Sequence, residues 1–151
     1  MAEHLPVDKT FKLFIGGAFP RSESGHTFQV RSDDGRLLAN AAKASRKDLR
    51  EAVRAARSAQ AGWAGRTAYN RGQVLYRVAE MLDARRDEFI VVLRDGGRSA
   101  ESARNEVEQA VDRWVWYAGW ADKVHQVLGT VNPVAGPFFN FTYPEPTGVV
   151  V

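Results

Sequence analysis

The side chains able to do chemistry are few in this chain, and they are poorly placed for it. There is no cysteine among its 151 residues, which removes a thiolate nucleophile, a thiolate zinc site and a disulfide framework together. The histidines, His4, His26 and His125, are dispersed and offer no metal-ligand spacing. They also leave no Ser-His-Asp constellation to assign, because the serines sit at cap-like positions. Asp33 with Asp34, and Glu106 with Glu108, pair carboxylates in turn or helix-surface settings, where solvated groups are the better reading than an acid and a base. Gly16-Gly17 precedes no helix and lacks the Lys-Ser ending of a phosphate loop, and no G-x-G-x-x-G occurs. Gly96-Gly97 does precede a helical pattern, so its amides could hold an anion, but a helix cap is the expected use. Reading the residues alone therefore names no catalytic, cofactor-binding or metal-ligating residue.

The elements around these residues are easier to read. Phe11–Ile15 is a short β-prone run, Gly16-Gly17 a tight turn, and a hairpin with Ala18-Phe19-Pro20 is expected. Thr27–Val30 alternates, breaks at Asp33-Asp34-Gly35, and resumes over Arg36–Ala41 as a second strand pair. Three helices follow. The first opens at Ser45, with Asp48 placed to return the capping bond, and carries Leu49, Ala52, Val53, Ala56, Ala59 and Trp63 on one face. The second starts at Thr67, carries Val74, Leu75, Val78, Met81, Leu82 and Phe89, and ends at Asp95-Gly96-Gly97. The third runs from Ser99 through Trp114 and Ala121, with Lys123 and His125 suited to the negative end of its dipole.

The aromatic crowd on the third helix divides by geometry. Trp114, Tyr117 and Ala118 share the apolar stripe, while Trp116 and Trp120, four apart, lie on an adjacent flank. Packing on two sides accounts for that arc better than a base-stacking platform. Beyond Gly129 the chain turns strand-like again, with Phe138–Tyr143 aromatic and β-branched between the turn signals Gly136-Pro137 and Pro144. Thr147–Val151 reads as the start of a buried strand.

Length and composition set the bounds. Hydrophobic residues at 44% and charged ones at 26% describe a chain that folds, of a length for one domain. A net charge of +3 hints at nucleic acid, but the arginines alternate with acids, as in Arg85-Arg86-Asp87-Glu88, and a solvated helix face is expected instead. No window approaches the roughly 20 apolar residues of a membrane span, and Met1–Pro6 lacks the basic start and long apolar stretch of a secretory signal. A cytoplasmic protein is the simplest reading.

Taken together, the pattern resembles the amino-terminal part of the aldehyde dehydrogenase superfamily. Phe14-Ile15-Gly16-Gly17-Ala18-Phe19 and Ser22–Phe28 resemble its opening strand and turn, and Arg54–Arg57 with Trp63, then Asn70-Arg71 and Met81-Leu82, resemble its first two helices. Trp116-Tyr117-Ala118-Gly119-Trp120-Ala121-Asp122-Lys123 is the most specific stretch, and Pro144–Val150 resembles the lead into the cofactor-binding sheet. Two departures stand out: Gly97-Arg98 replaces a common Gly-Lys pair, and Gln126 replaces a frequent glycine. Arginine keeps the charge, whereas Gln126 loses a permissive backbone position.

The resemblance implies an α/β fold in which short antiparallel strands and three helices cover a parallel cofactor-binding sheet that is mostly absent. It implies a single incomplete domain over 1–151, with strands at about 11–42, helices at about 45–126, oligomerisation-type strands at about 127–146 and the start of a cofactor-domain strand at 147–151. The family's chemistry is thiolate attack on an aldehyde, hydride transfer to NAD or NADP, and thioester hydrolysis. None of the family's catalytic or cofactor-binding positions falls in these residues, so the chain is expected to be a truncated or partial family member, inactive alone and holding no cofactor. The alternative is a non-catalytic assembly module that forms a homo-oligomer or pairs with a catalytic relative through Phe138, Phe139, Phe141 and Tyr143.

Overall fold

The computed structural model describes residues 9–151. Strand β1 (Thr10–Phe11), β2 (Thr27–Arg31) and β3 (Leu37–Ala42) form one sheet in the order β1-β3-β2. The β2–β3 pair is the expected antiparallel hairpin, with Gly35 at φ 85 closing its turn and a register shift at Val30/Arg31. The expected first hairpin is smaller than the sequence suggests. Gly16 and Gly17, at φ 61 and 80, make the tight turn, but only Ile15 and Ala18 pair across it. Beyond that bridge a single bond, from the Leu13 amide to the Pro20 carbonyl at 3.1 Å, continues the pairing. Pro20 has no N–H to return, so the ladder stops there. The start of the β-prone run pairs elsewhere: β1 lies parallel to β3, Thr10 opposite Asn40 and Phe11 opposite Ala41.

Among the described residues five helices replace the three expected ones: α1 (Arg46–Ala64), α2 (Ala68–Ala84), α3 (Arg86–Asp95), α4 (Ala100–Trp120) and α5 (Val124–Leu128). The starts are those the caps dictate. Ser45 and Asp48 form a complete capping box on α1, Thr67 accepts from the Asn70 amide at 3.1 Å on α2, and Ser99 from the Ser102 amide at 3.1 Å on α4. The extra breaks lie where no glycine or proline marks them. Arg85 leaves helical geometry at φ -112, ψ 20, which lets α2 and α3 both pack on α4. The break is stitched by ion pairs, Arg85 to Glu88 at 2.6 Å and Arg86 to Asp83 at 2.5 Å, and Asp87 and Glu88 meet the positive end of α3. After Trp120 the chain turns once, and Lys123 donates to the Gly119 carbonyl at 2.6 Å before α5 begins.

A second, two-stranded ribbon follows, β4 (Thr130–Asn132) antiparallel to β5 (Asn140–Thr142). Thr147–Val151 joins no ladder, because no described strand lies beside it. The buried apolar residues are small: Ala39 in β3, Ala79 in α2, and Ala103 and Val107 in α4. The accessible surface is 12292 Å², against about 7,600 Å² for a compact monomer of 16.8 kDa. Much of the difference is the exposed apolar surface of the elements described above.

Gly97 shows how tightly the turn between α3 and α4 is set. It stands at φ 95, and a Cβ there would run into the Asp33 carboxylate of the β2–β3 turn. Gly97→Ala is expected to lower stability by about 1–2 kcal/mol, read as a shift of the urea midpoint at constant m-value.

Candidate functional site

The buried polar cluster among the described residues lies where the segment after the first turn meets the start of α1. Ser22 and Asp48 are the buried polar residues among those described, at 6% and 8% exposure. The Ser22 hydroxyl donates to Asp48 Oδ2 at 2.6 Å, the Ser45 amide to the same oxygen at 2.8 Å, and the Glu23 amide to Oδ1 at 3.3 Å. These donors, the Ser22 hydroxyl foremost and then the Ser45 amide, hold the Asp48 carboxyl down to about 2. Glu23 completes the cluster by accepting from Lys47 Nζ at 3.0 Å and from the Ser45 hydroxyl at 3.2 Å. A carboxylate so fully engaged has little basicity left for proton abstraction, and its geometry makes it a clamp rather than a base. The concave surface beside it, about 310 Å³, is lined by residues that include Phe11, Lys12, Arg21 and His26 and adds no acid–base pair. Sequence spacing shows Asp48 as half of a capping box; Ser22, 26 positions away, carries no signal of the second role.

The other residues singled out by type are dispersed. Asp34 accepts from the Ser32 hydroxyl and the Arg36 amide inside its own turn, and these bonds lower its pKa. Glu106 faces Arg98 at 3.4 Å and Glu108 faces Arg86 at 3.8 Å, as surface pairs. His4 lies outside the described residues; His26 and His125 share no ligand group, and no cluster of three potential metal ligands occurs among the described residues. The glycines do not fit a dinucleotide phosphate: Gly16-Gly17 closes a hairpin, and the Asp33 carboxylate beside Gly97 opposes an anion at the turn before α4.

What the structure does bring together is aromatic. Phe139, Phe141 and Tyr143 alternate through β5 and the residue on either side of it, Phe141 tilted against Phe139 at a centroid distance of 5.4 Å and stacked on Tyr143 at 6.2 Å. His125 of α5 caps the row, 5.7 Å from the Tyr143 ring, and its Nε2 lies 3.2 Å from the Pro144 carbonyl oxygen. Tyr143 donates to Glu145 at 3.0 Å, and the neighbouring carboxylate raises its pKa. Between His125 and Glu145 there is no charged side chain at all, and Phe138 and Phe139 are each 75% exposed. On α4, Trp116 meets Tyr117 edge-on at 4.9 Å and Trp120 at 5.2 Å. The double-sided packing expected of Trp114, Trp116 and Tyr117 is not complete within these residues, since all three remain exposed.

With this arrangement in view, comparison with known proteins is specific. The chain belongs to the aldehyde dehydrogenase family, whose model matches residues 19–151. It is 35% identical over 143 residues to the mitochondrial benzaldehyde dehydrogenase of Antirrhinum majus, a match covering 91% of this chain and 26% of that one. The crystal structure of an NAD-dependent benzaldehyde dehydrogenase from Corynebacterium glutamicum superposes with a TM-score of 0.76 at 30% identity, over 83% of this chain and 27% of that one. A salicylaldehyde dehydrogenase from Pseudomonas putida G7 shares the fold at a TM-score of 0.85 and 24% identity, over 91% of this chain and 28% of that one. The chain thus spans little more than a quarter of the length of these relatives.

The clamp has a pH signature. Asp48 is depressed in the folded state, so its contribution to stability is complete above about pH 4 and is lost as pH falls toward about 2. Asp48→Asn is expected to flatten that acid limb in pH-dependent urea titrations, and Ser45→Ala to cost about 1 kcal/mol at neutral pH.

Proposed function

We propose that these residues are the amino-terminal part of an NAD(P)-dependent aldehyde dehydrogenase acting in the cytoplasm, one incomplete domain that frames the reaction rather than performing it. The observation that carries this reading is the family match across residues 19–151. The oxidation needs a nucleophile that forms a covalent adduct with the aldehyde, and the chain has no thiol. NAD or NADP would supply the hydride acceptor in a complete family member. Here the two glycine turns fit neither phosphate, and no step is assigned to these residues.

The clamp at Asp48 and the α2–α4 contact are then parts of a scaffold. The ribbon β4–β5 supports a second, compatible role, contact with another subunit, because a short strand pair set in an uncharged, aromatic stretch and left in water invites a partner. Titration calorimetry with NAD+ is expected to show no saturable heat for the 151-residue chain; micromolar binding would overturn the scaffold reading. For the ribbon, light scattering after size exclusion is expected to show self-association that the double substitution Phe138→Ser, Phe139→Ser reduces at least tenfold in apparent affinity. A wild-type chain that stays monomeric at 100 μM would remove the ribbon from the account.

A further inference from the structure

We propose that the concave surface at the Ala42 end of the three-stranded sheet, lined by Lys12, Arg21 and His26, is a binding site for a small phosphomonoester. The site holds a ligand and takes no part in aldehyde oxidation, so it stands independently of the family reading above.

Strand pairing brings the three basic residues together. β1 runs parallel to β3 with Phe11 opposite Ala41, so Lys12 follows at the end of β1 that lies beside the last residues of β3. β2 runs antiparallel to β3 with Thr27 opposite Ala42, so His26 precedes its strand at that same end. Arg21 arrives from the segment that connects them. That segment is fixed by its own bonds: the Gly25 amide donates to the Ser22 carbonyl at 3.0 Å with Gly25 at φ 69, and the Lys43 amide donates to the His26 carbonyl at 2.9 Å. From the His26 amide a line of bonds runs to the Ser24 hydroxyl at 3.3 Å, on to the Ser22 hydroxyl at 3.0 Å, and then to Asp48 at 2.6 Å. Ser22 lines the concavity at 6% exposure, so the wall that carries Arg21 and His26 is tied to the start of α1. A wall ordered in this way costs little further ordering when a ligand arrives.

Charge selects an anion. Among the described residues no carboxylate lines the surface, and neither Lys12 nor Arg21 forms an ion pair. The carboxylates nearby are committed, Asp48 to the clamp donors and Glu23 to Lys47. Lys9 adds a further cation, its Nζ 4.6 Å from the centre of the Phe11 ring. Size and donor type then choose among anions. A space of about 310 Å³ is at the small end of ligand sites, which run from about 300 to 1,000 Å³, and suits a small metabolite rather than a polymer. A phosphomonoester presents three terminal oxygens to three kinds of donor, an ammonium, a guanidinium fork and an imidazole N–H, whereas a carboxylate presents two. Its charge of about −1.5 to −2 is matched by one lysine and one arginine. Phe11 and Ala42 on the same surface give the organic part of the ester an apolar wall.

The test is titration of the isotope-labelled 151-residue chain with phenyl phosphate, inorganic phosphate and benzoate at constant ionic strength, followed by amide chemical shifts. Phenyl phosphate is expected to give saturable shifts centred on Lys12, Arg21, Gly25 and Thr27, and to bind more tightly than either of the other two. Arg21→Ala and Lys12→Ala, on different segments, are each expected to weaken it about tenfold. Arg104→Ala, an equal charge change on α4 away from the surface, is expected to leave it unchanged. All three side chains are exposed, so the urea midpoints are expected to stay at the wild-type value, which separates lost binding from lost folding. Shifts that do not saturate or that centre elsewhere, benzoate or inorganic phosphate matching phenyl phosphate, equal weakening by Arg104→Ala, or losses that follow the urea midpoint in both lining variants would each overturn the proposal.

Discussion

The structure depends on the close approach of α2 and α4. Gly72 has no side chain, and the backbone of α4 at Ala118 comes near enough that a Cβ would press on its carbonyl. Ala79, Ala103 and Val107 continue the theme, and they are nearly the whole buried apolar core. Small residues let helices touch through their backbones, but each removes little apolar area from water. The contact therefore orients helices well while contributing modestly to stability. Large side chains, which stabilise most when buried, are at most partly covered, Leu75 and Leu82 included.

That division explains the character of the rest of the molecule. The elements are well made locally, by side-chain caps on three helices, by paired glycines in a tight turn and by the Ser22–Asp48–Ser45 clamp. Their outward faces carry valine, phenylalanine, tryptophan and tyrosine without cover. A globule that had finished folding on its own would reverse this proportion. The family to which the chain belongs, and the quarter of the relatives' length that it spans, give the proportion its meaning.

Chemistry and scaffold are separable in such a fold. Asp48 illustrates the difference: its pKa is strongly perturbed, which in another setting would point to catalysis. Here every neighbouring donor stabilises its charge and none shares a proton with a second titratable group, so the perturbation measures structural commitment. The aromatic ribbon is the opposite case, with little internal commitment and much exposed surface.

Much of this was legible in the sequence for one physical reason: caps and turns are decided by residues within four positions of each other. Ser45 with Asp48, Thr67, Ser99 and Gly16-Gly17 all act at that range, and the family resemblance is written in the same local segments, Trp116–Lys123 above all. The tertiary structure alone decided the rest. It broke the helix at Arg85 so that two segments could reach α4, paired Thr10-Phe11 with Asn40-Ala41 rather than with its neighbour, and set Ser22 on Asp48 from 26 residues away. It also left Val74, Val78 and Met81 outside while taking Gly72 and Ala79 inside. Both sets are apolar and both follow the helical period; only the position of α4 distinguishes them, and no local sequence encodes where a distant helix will lie.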